Sequence, residues 1–182
     1  MAALALGCAH PPPPPPAAAA PPAVSGPNAQ LQHRYSGSFA YAGGDAERRT
    51  VSAGVERAIA GMPFLAKPVA RTSLKQRAEV RDVYTLSFDG LGNLAISTPG
   101  FPVEAGPLDG TPFRLEDKWG DQSEVTFRFV AGVLVQKGHS DEGGGQTDFR
   151  LADDGATLLV HRVMESPQLT APVDFTLTYR RQ

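Results

Sequence analysis

The stretch VTFRFVAGVLVQ, residues 125–136, decides the fold. Val125, Phe127 and Phe129 alternate with Thr126 and Arg128, the period-two pattern of a strand with one buried face. Ala131-Gly132 is a two-residue hairpin signal, because the favoured hairpin turns need residues that tolerate positive φ. Val133 and Val135 then resume the apolar alternation. Two strands joined by so short a turn must run antiparallel.

The pattern recurs on both sides. Tyr84, Leu86 and Phe88 alternate before the turn Asp89-Gly90, and Leu94 and Ile96 follow it. Phe113 and Leu115 come next. Phe149 and Leu151 precede the turn Asp153-Asp154-Gly155, Leu158 and Val160 follow, and Val173, Phe175, Leu177 and Tyr179 close the chain. With YSGSFAY at 35–41 as an earlier strand, this predicts one strand ahead of a helix pair and eight in a meander behind it. Val51, Val55, Ile59 and Met62 lie on one helical stripe, which predicts a helix near 46–60 with Asp45 as N-cap and Gly61 as C-cap. A second helix is expected near 67–77, with Pro68 in its first turn and Val69 and Leu74 inward. The fold class is mainly β with a helix pair, the meander forming a barrel or a strongly curved sheet.

The wetter face of the meander carries Thr126, Arg128, Gln136, Asp148, Arg150, Asp174, Thr176, Thr178 and Arg180. In an open sheet these meet solvent; in a sheet that closes far enough some of them line a cavity. The alternation alone leaves both open.

Composition narrows the function. The net charge is −2, so a nucleic-acid protein with a broad basic face is not indicated. Charge is uneven: residues 45–82 carry eight basic and five acidic side chains, residues 104–182 eight and thirteen. This reads as two solvated faces of opposite sign, or as a basic patch around Arg71, Lys75, Arg77 and Arg81 that meets anionic headgroups or an acidic ligand. One cysteine excludes an internal disulfide framework.

That cysteine is Cys8, in LALGCAHPPPPPPAAAAPP at 4–22. Leu6-Gly7-Cys8 resembles the end of a bacterial lipoprotein signal, in which a cysteine is acylated and becomes the new N-terminus. No Lys or Arg precedes it, unlike a full secretory signal. Pro11–Pro16, Ala17–Ala20 and Pro21-Pro22 favour an extended rod over any core. The expected organisation is therefore a short lipoprotein signal at 1–8, a disordered Pro/Ala-rich linker at 9–30 and a β-rich domain at 31–182. The expected location is the bacterial cell envelope, with the domain held to a membrane through Cys8.

One strand, a helix pair and a long antiparallel meander resemble the fatty-acid-binding proteins, calycins like the lipocalins. YSGSF (35–39) is similar to the opening Gly-x-Trp strand of that group, with Phe39 in place of tryptophan. GQTDFRLADDGATLLV (145–160) resembles a late hairpin, and FTLTYRR (175–181) the closing strand. The resemblance implies a calycin-like barrel that binds a small apolar or amphipathic ligand without catalysis. It also implies a ligand carboxylate held by an inward arginine and a tyrosine, matched here by Arg150 and Tyr179. Against that pattern, Arg150 lies on the face opposite Phe149 and Leu151, whereas Tyr179 shares its face with Leu177 and Phe175.

No motif for chemistry appears. His10, His33, His139 and His161 form no paired metal-ligand spacing, and no nucleophile elbow, P-loop or dinucleotide fingerprint is present. HSDEGGG at 139–145 is the most polar cluster and reads as a flexible hairpin tip. The expectation is a binding protein with no cofactor, no metal and no nucleic-acid partner. Val55, Ile59, Tyr84, Phe88, Phe127 and Phe175 are the candidate lining residues, beside Arg150 and Tyr179. The alternative is an interaction or assembly module of the envelope, with a filled core and no ligand. The two differ in interior volume.

Overall fold

The computed structural model describes residues 27–182, so Cys8 and the proline run lie outside the described residues. Ten strands form one antiparallel sheet in the order β4-β3-β2-β1-β10-β9-β8-β7-β6-β5. They are β1 (Gly37–Tyr41), β2 (Val83–Phe88), β3 (Asn93–Ser97), β4 (Glu104–Pro107), β5 (Phe113–Glu116), β6 (Gln122–Val130), β7 (Val133–Ser140), β8 (Gly143–Leu151), β9 (Thr157–Glu165) and β10 (Val173–Arg181). β1 bridges the two halves: Phe39 pairs with Tyr84 on one side and Arg181 on the other. The sheet curls into a nearly closed, calycin-like barrel. Its free edges, β4 and β5, meet at a seam where the Phe113 ring fills the space a Cβ on Gly106 would need, 2.3 Å away.

The turn at the centre of the quoted stretch forms as its residues require. Val130 pairs with Val133, and Ala131 and Gly132 take φ of 49° and 82°. Positive φ at both central residues marks the turn whose twist matches its strands.

β4 was not expected. Glu104–Pro107 is a short edge strand without apolar alternation, and its final proline can donate no ladder bond. The parity of β7 also differs from expectation. Leu134 pairs with Phe129 and Phe149, and Gln136 with Phe127 and Thr147, so these two point into the barrel. Val133 and Val135 point outward. In a run of three consecutive apolar residues the sequence gives no phase, and a one-residue shift reverses every side chain. Gly143–Gly145, expected as a flexible tip, are strand residues of β8. Their missing side chains permit close strand approach: a Cβ on Gly145 would lie 2.6 Å from the Val163 carbonyl oxygen.

Three helices complete the chain: α1 (Pro27–Tyr35), α2 (Asp45–Ala58) and α3 (Lys67–Arg77). α1 begins inside the stretch expected as linker, and it is held by Tyr35. The hydroxyl of this buried tyrosine shares its one proton between the carbonyls of Gly132 (2.9 Å) and Phe149 (3.0 Å) and accepts from the Leu151 amide (3.1 Å). α1 therefore closes the barrel end where the β6–β7 and β8–β9 turns lie.

α2 starts one residue earlier than expected, with Gly44 as N-cap. It stops at Ala58, short of Gly61, because the Ala58 carbonyl is taken by the amide (3.0 Å) and hydroxyl (2.9 Å) of Thr170. Val51 and Val55 face the core, and Gly54 is buried against β10, where an added Cβ would make ordinary contact, 3.5 Å from the Asp174 carbonyl oxygen. α3 buries no residue fully, and Val69, expected inward, is 74 % exposed. Leu74 carries its packing against the core. α2, α3, the β5–β6 turn and the β9–β10 loop together cover the second end of the barrel.

Candidate functional site

Strand register divides the inward side chains into two tiers. Near α1, Phe39, Leu134 and Leu158 are 0 % exposed, Phe149 is 1 % and Leu151 8 %. Side chains bordering a water-sized void would retain accessible surface, so this tier is packed solid. Each fully buried Phe or Leu here contributes about 1.5–3 kcal/mol of apolar burial. The rings of Tyr84, Phe149 and Tyr179 meet edge to face, with Tyr84 5.4 Å from Phe149 and 5.0 Å from Tyr179.

The tier toward the helices is different. Gln136, Thr147 and Arg162 occupy successive inward positions, since Gln136 pairs with Thr147 and Thr147 with Arg162. Met164 follows Arg162 on the same face. All four are only half-buried although they point into the barrel. Gln136 donates across the interior to Glu104 of β4. The Arg162 side chain has neither a hydrogen bond nor an ion pair among the described residues; its guanidinium lies 5.9 Å from the centre of the Phe175 ring.

Arg81, just ahead of β2, completes this tier. Its guanidinium lies 3.0 Å from the centre of the Phe101 ring, which shields it from water. Nε and Nη1 are buried and have no hydrogen-bond partner. Burial pushes the Arg81 guanidinium below its usual range, and the positive charge of Arg162 adds to that shift. Burial raises the Tyr84 hydroxyl, while the charges of Arg162 and Arg81 pull the other way. Beside Arg81 is a small void of about 30 Å³, lined also by Phe101, Lys118 and Trp119 and by the acidic Glu104, Glu116 and Asp117. That is room for a water or for one carboxylate-sized group.

Charged groups on the helices and turns hold the outer side of this void. Arg77 pairs with Asp117 (3.4 Å) and with Asp121, and Lys118 with Glu79 (2.8 Å). Lys118 Nζ also sits 3.8 Å from the Phe101 ring centre, and Trp119 packs against Phe101 at 6.4 Å.

The expected lining residues separate accordingly. Val55, Ile59, Phe127 and Tyr179 are sealed at 0–1 % exposure and act as core, and Phe175 is 2 % exposed beneath Arg162. Phe88 stacks on Phe129 at 6.3 Å in the packed tier. Tyr84 alone spans both tiers. Arg150 is exposed on the outer face, because its strand alternates with the inward Phe149 and Leu151, so it does not meet Tyr179. The Tyr179 hydroxyl instead donates to the Arg81 carbonyl at 3.0 Å, and burial raises its pKa far above the ordinary value.

The basic patch is also dispersed: Arg71 is paired with Glu56 at 2.7 Å, Arg77 with two aspartates, and Arg81 is half-buried with Nε and Nη1 turned from solvent. Arg162 was missed by the sequence reading. Its signal was present, since it continues the Leu158, Val160 alternation by one step.

The cluster at 139–145 borders an open groove of about 1130 Å³ with Glu124, Lys137, Gln146, Val163 and Glu165. These side chains point outward by register, so the groove belongs to the barrel exterior. Among the described residues no group of three metal-ligating side chains is assembled.

No family model matches the sequence, and no curated protein is similar to it. Solved structures do share the fold. A Schistosoma mansoni fatty-acid-binding protein in complex with arachidonic acid superposes with a TM-score of 0.55 at 11% identity, over 84% of this chain and 98% of that one. Apo lipid binding protein 8 of Caenorhabditis elegans gives 0.54 at 9% identity, over 82% and 96%. Zebrafish ileal bile acid-binding protein with cholic acid gives 0.52 at 10% identity, over 82% and 99%. The chain has the calycin fold of the fatty-acid-binding proteins.

Proposed function

We propose that the domain binds a small amphipathic acid, without catalysis, in the helix-end tier of the barrel. The observation that carries this is the Arg81 guanidinium, with Nε and Nη1 buried and unpartnered beside a carboxylate-sized void. A buried donor without an acceptor costs about 1–3 kcal/mol, more when charged, and an anionic headgroup would remove that cost. Arg162, half-buried and free of any carboxylate, provides a second cation on the same side. The neighbours' ligands, arachidonic acid and cholic acid, are amphipathic acids of this kind. The packed tier near α1 leaves no room for a long chain laid down the barrel axis, so the apolar part would lie against the half-buried Met164 and the stem of Arg162.

The test is displacement of the fluorescent anion 1-anilinonaphthalene-8-sulfonate from the full chain by amphipathic acids and by their methyl esters. Acids should compete and esters should not, and Arg81→Met should weaken competition at least about tenfold. Equal competition by esters would remove the role given to Arg81. Native mass spectrometry showing a bare chain under all conditions would favour the second reading, an interaction module, which the solid packing around Phe39, Leu134 and Leu158 supports.

The same proposal places the domain in the cell envelope on a lipid anchor at Cys8. Leu6-Gly7-Cys8 and the rigid proline run support it. Labelled palmitate incorporated by the chain and lost in Cys8→Ser is the expected result.

A further inference from the structure

Glu104 borders the void beside Arg81 and is the acid of that void whose side chain enters the barrel. On β4 it pairs with the buried Ile96, so both point inward. Its Oε2 accepts from Gln136 of the helix-end tier. Its Oε1 has no hydrogen-bond partner among the described residues, and no cation of theirs is within ion-pair distance.

The other charges around the void are already answered. Asp117 takes Arg77 and the amides of Trp119 (2.8 Å) and Asp121 (3.0 Å). Glu116 is exposed and accepts from Gln122, and Lys118 pairs with Glu79. Arg81 and Glu104 thus border one void of about 30 Å³, each with open hydrogen-bonding atoms and neither paired with the other.

A plain carboxylate set against Arg81 satisfies the guanidinium but places a second anion beside Glu104, where the dielectric is low. A headgroup with a donor next to its carboxylate answers both residues: the anion accepts from Nε and Nη1, and an O–H or N–H donates to Oε1. The void has room for the carboxylate alone. Glu104 lines it while touching Gln136, so it marks where a ligand leaves the void for the barrel interior. The donor therefore belongs on the carbon next to the carboxylate.

We propose that Glu104 determines the specificity of this site, selecting acids that carry an O–H or N–H on the carbon next to the carboxylate, as 2-hydroxy acids and N-acyl amino acids do, over plain acids. This rests on the acid site proposed above and names the class of acid it takes.

The test is displacement of 1-anilinonaphthalene-8-sulfonate from the full chain by hexadecanoate, 2-hydroxyhexadecanoate and N-hexadecanoylglycine. The two donor-bearing acids should compete at concentrations at least about fivefold below hexadecanoate. Glu104→Gln keeps the shape and removes the charge. In that variant the three should fall within about twofold of one another, chiefly because hexadecanoate binds better. Circular dichroism checks that the variant is folded, and the comparison within the unaltered chain does not depend on it. Equal competition by all three acids in the unaltered chain would overturn the role of Glu104 and leave the acid site standing. A preference that survives in folded Glu104→Gln would overturn it as well. No competition by any of the three would remove the acid site itself, and the selectivity with it.

Discussion

The Tyr179 hydroxyl donates a 3.0 Å hydrogen bond to the Arg81 carbonyl, while Nε and Nη1 of the same arginine have no acceptor. One residue thus has its backbone satisfied by the packed tier and its side chain unsatisfied in the tier above. Tyr179→Phe should separate the two. It removes one buried hydrogen bond while keeping the ring contacts with Tyr84 and Tyr41, which are 5.0 and 5.6 Å away. The expected loss is about 1 kcal/mol, or about 2–4 °C in Tm, with acid binding unchanged. Calorimetry and probe displacement on one preparation check both halves. A large loss of binding with unaltered stability would give the Tyr179 hydroxyl to the ligand.

Arg81→Met should act in the opposite sense. Burial lowers the pKa of Arg81, so the folded state disfavours its charged form throughout the accessible pH range. A methionine keeps apolar contact with Phe101 and removes the unpaired charge. The variant should gain about 1 kcal/mol in denaturant unfolding while losing affinity for amphipathic acids. Gain of stability with loss of binding is the signature of a site whose polar cost is met by its ligand. Destabilisation of the variant would mean that the stacking of Arg81 on Phe101 is structural.

The antiparallel meander was legible because Phe88, Phe127, Phe149 and Leu158 each sit in strict alternation close to a recognisable turn. The tiers were not. They depend on which strands are neighbours, and pairings such as Gln136 with Thr147 and Thr147 with Arg162 are set by register across the sheet. β7 hid its phase in three successive apolar residues, so Gln136 was placed outside. Arg81 escaped notice as a site because sequence shows its charge but not the Phe101 ring that buries it. α1 was masked by the proline-rich composition ahead of it, although Leu31 and Tyr35 are one helical turn apart and both pack on the core.

α1 gives a prediction of its own. Tyr35 is 2 % exposed, and its hydroxyl serves two carbonyls and one amide, from the β6–β7 turn and from β8. Tyr35→Phe leaves the Leu151 amide without that acceptor inside the barrel end. The expected cost is about 1–3 kcal/mol, larger than for Tyr179→Phe because more groups lose a partner. Amide exchange should quicken at Leu151 while β2 and β3 are unaffected. Uniform quickening across the sheet would mean that α1 is integral to the whole cooperative unit.

Asp154 sets the acid limit of the β8–β9 turn. Its carboxylate accepts from the Thr157 hydroxyl (2.6 Å) and from the amides of Thr157 (2.8 Å) and Ala156 (2.9 Å). These bonds, the Thr157 hydroxyl foremost, hold its pKa down to about 2 from an ordinary 3.8. A carboxylate whose pKa is depressed on folding adds stability above its unfolded value, and that stability is lost as pH falls through the folded one. The turn should therefore be fully supported above about pH 4 and lose Asp154's contribution progressively toward pH 2. A carboxyl-carbon titration followed by NMR should show the Asp154 midpoint near the lower value. Asp154→Asn should reduce stability at neutral pH and flatten its dependence on pH below 4. A midpoint at the ordinary carboxylate value would mean that the three bonds are too transient in solution to hold the proton off.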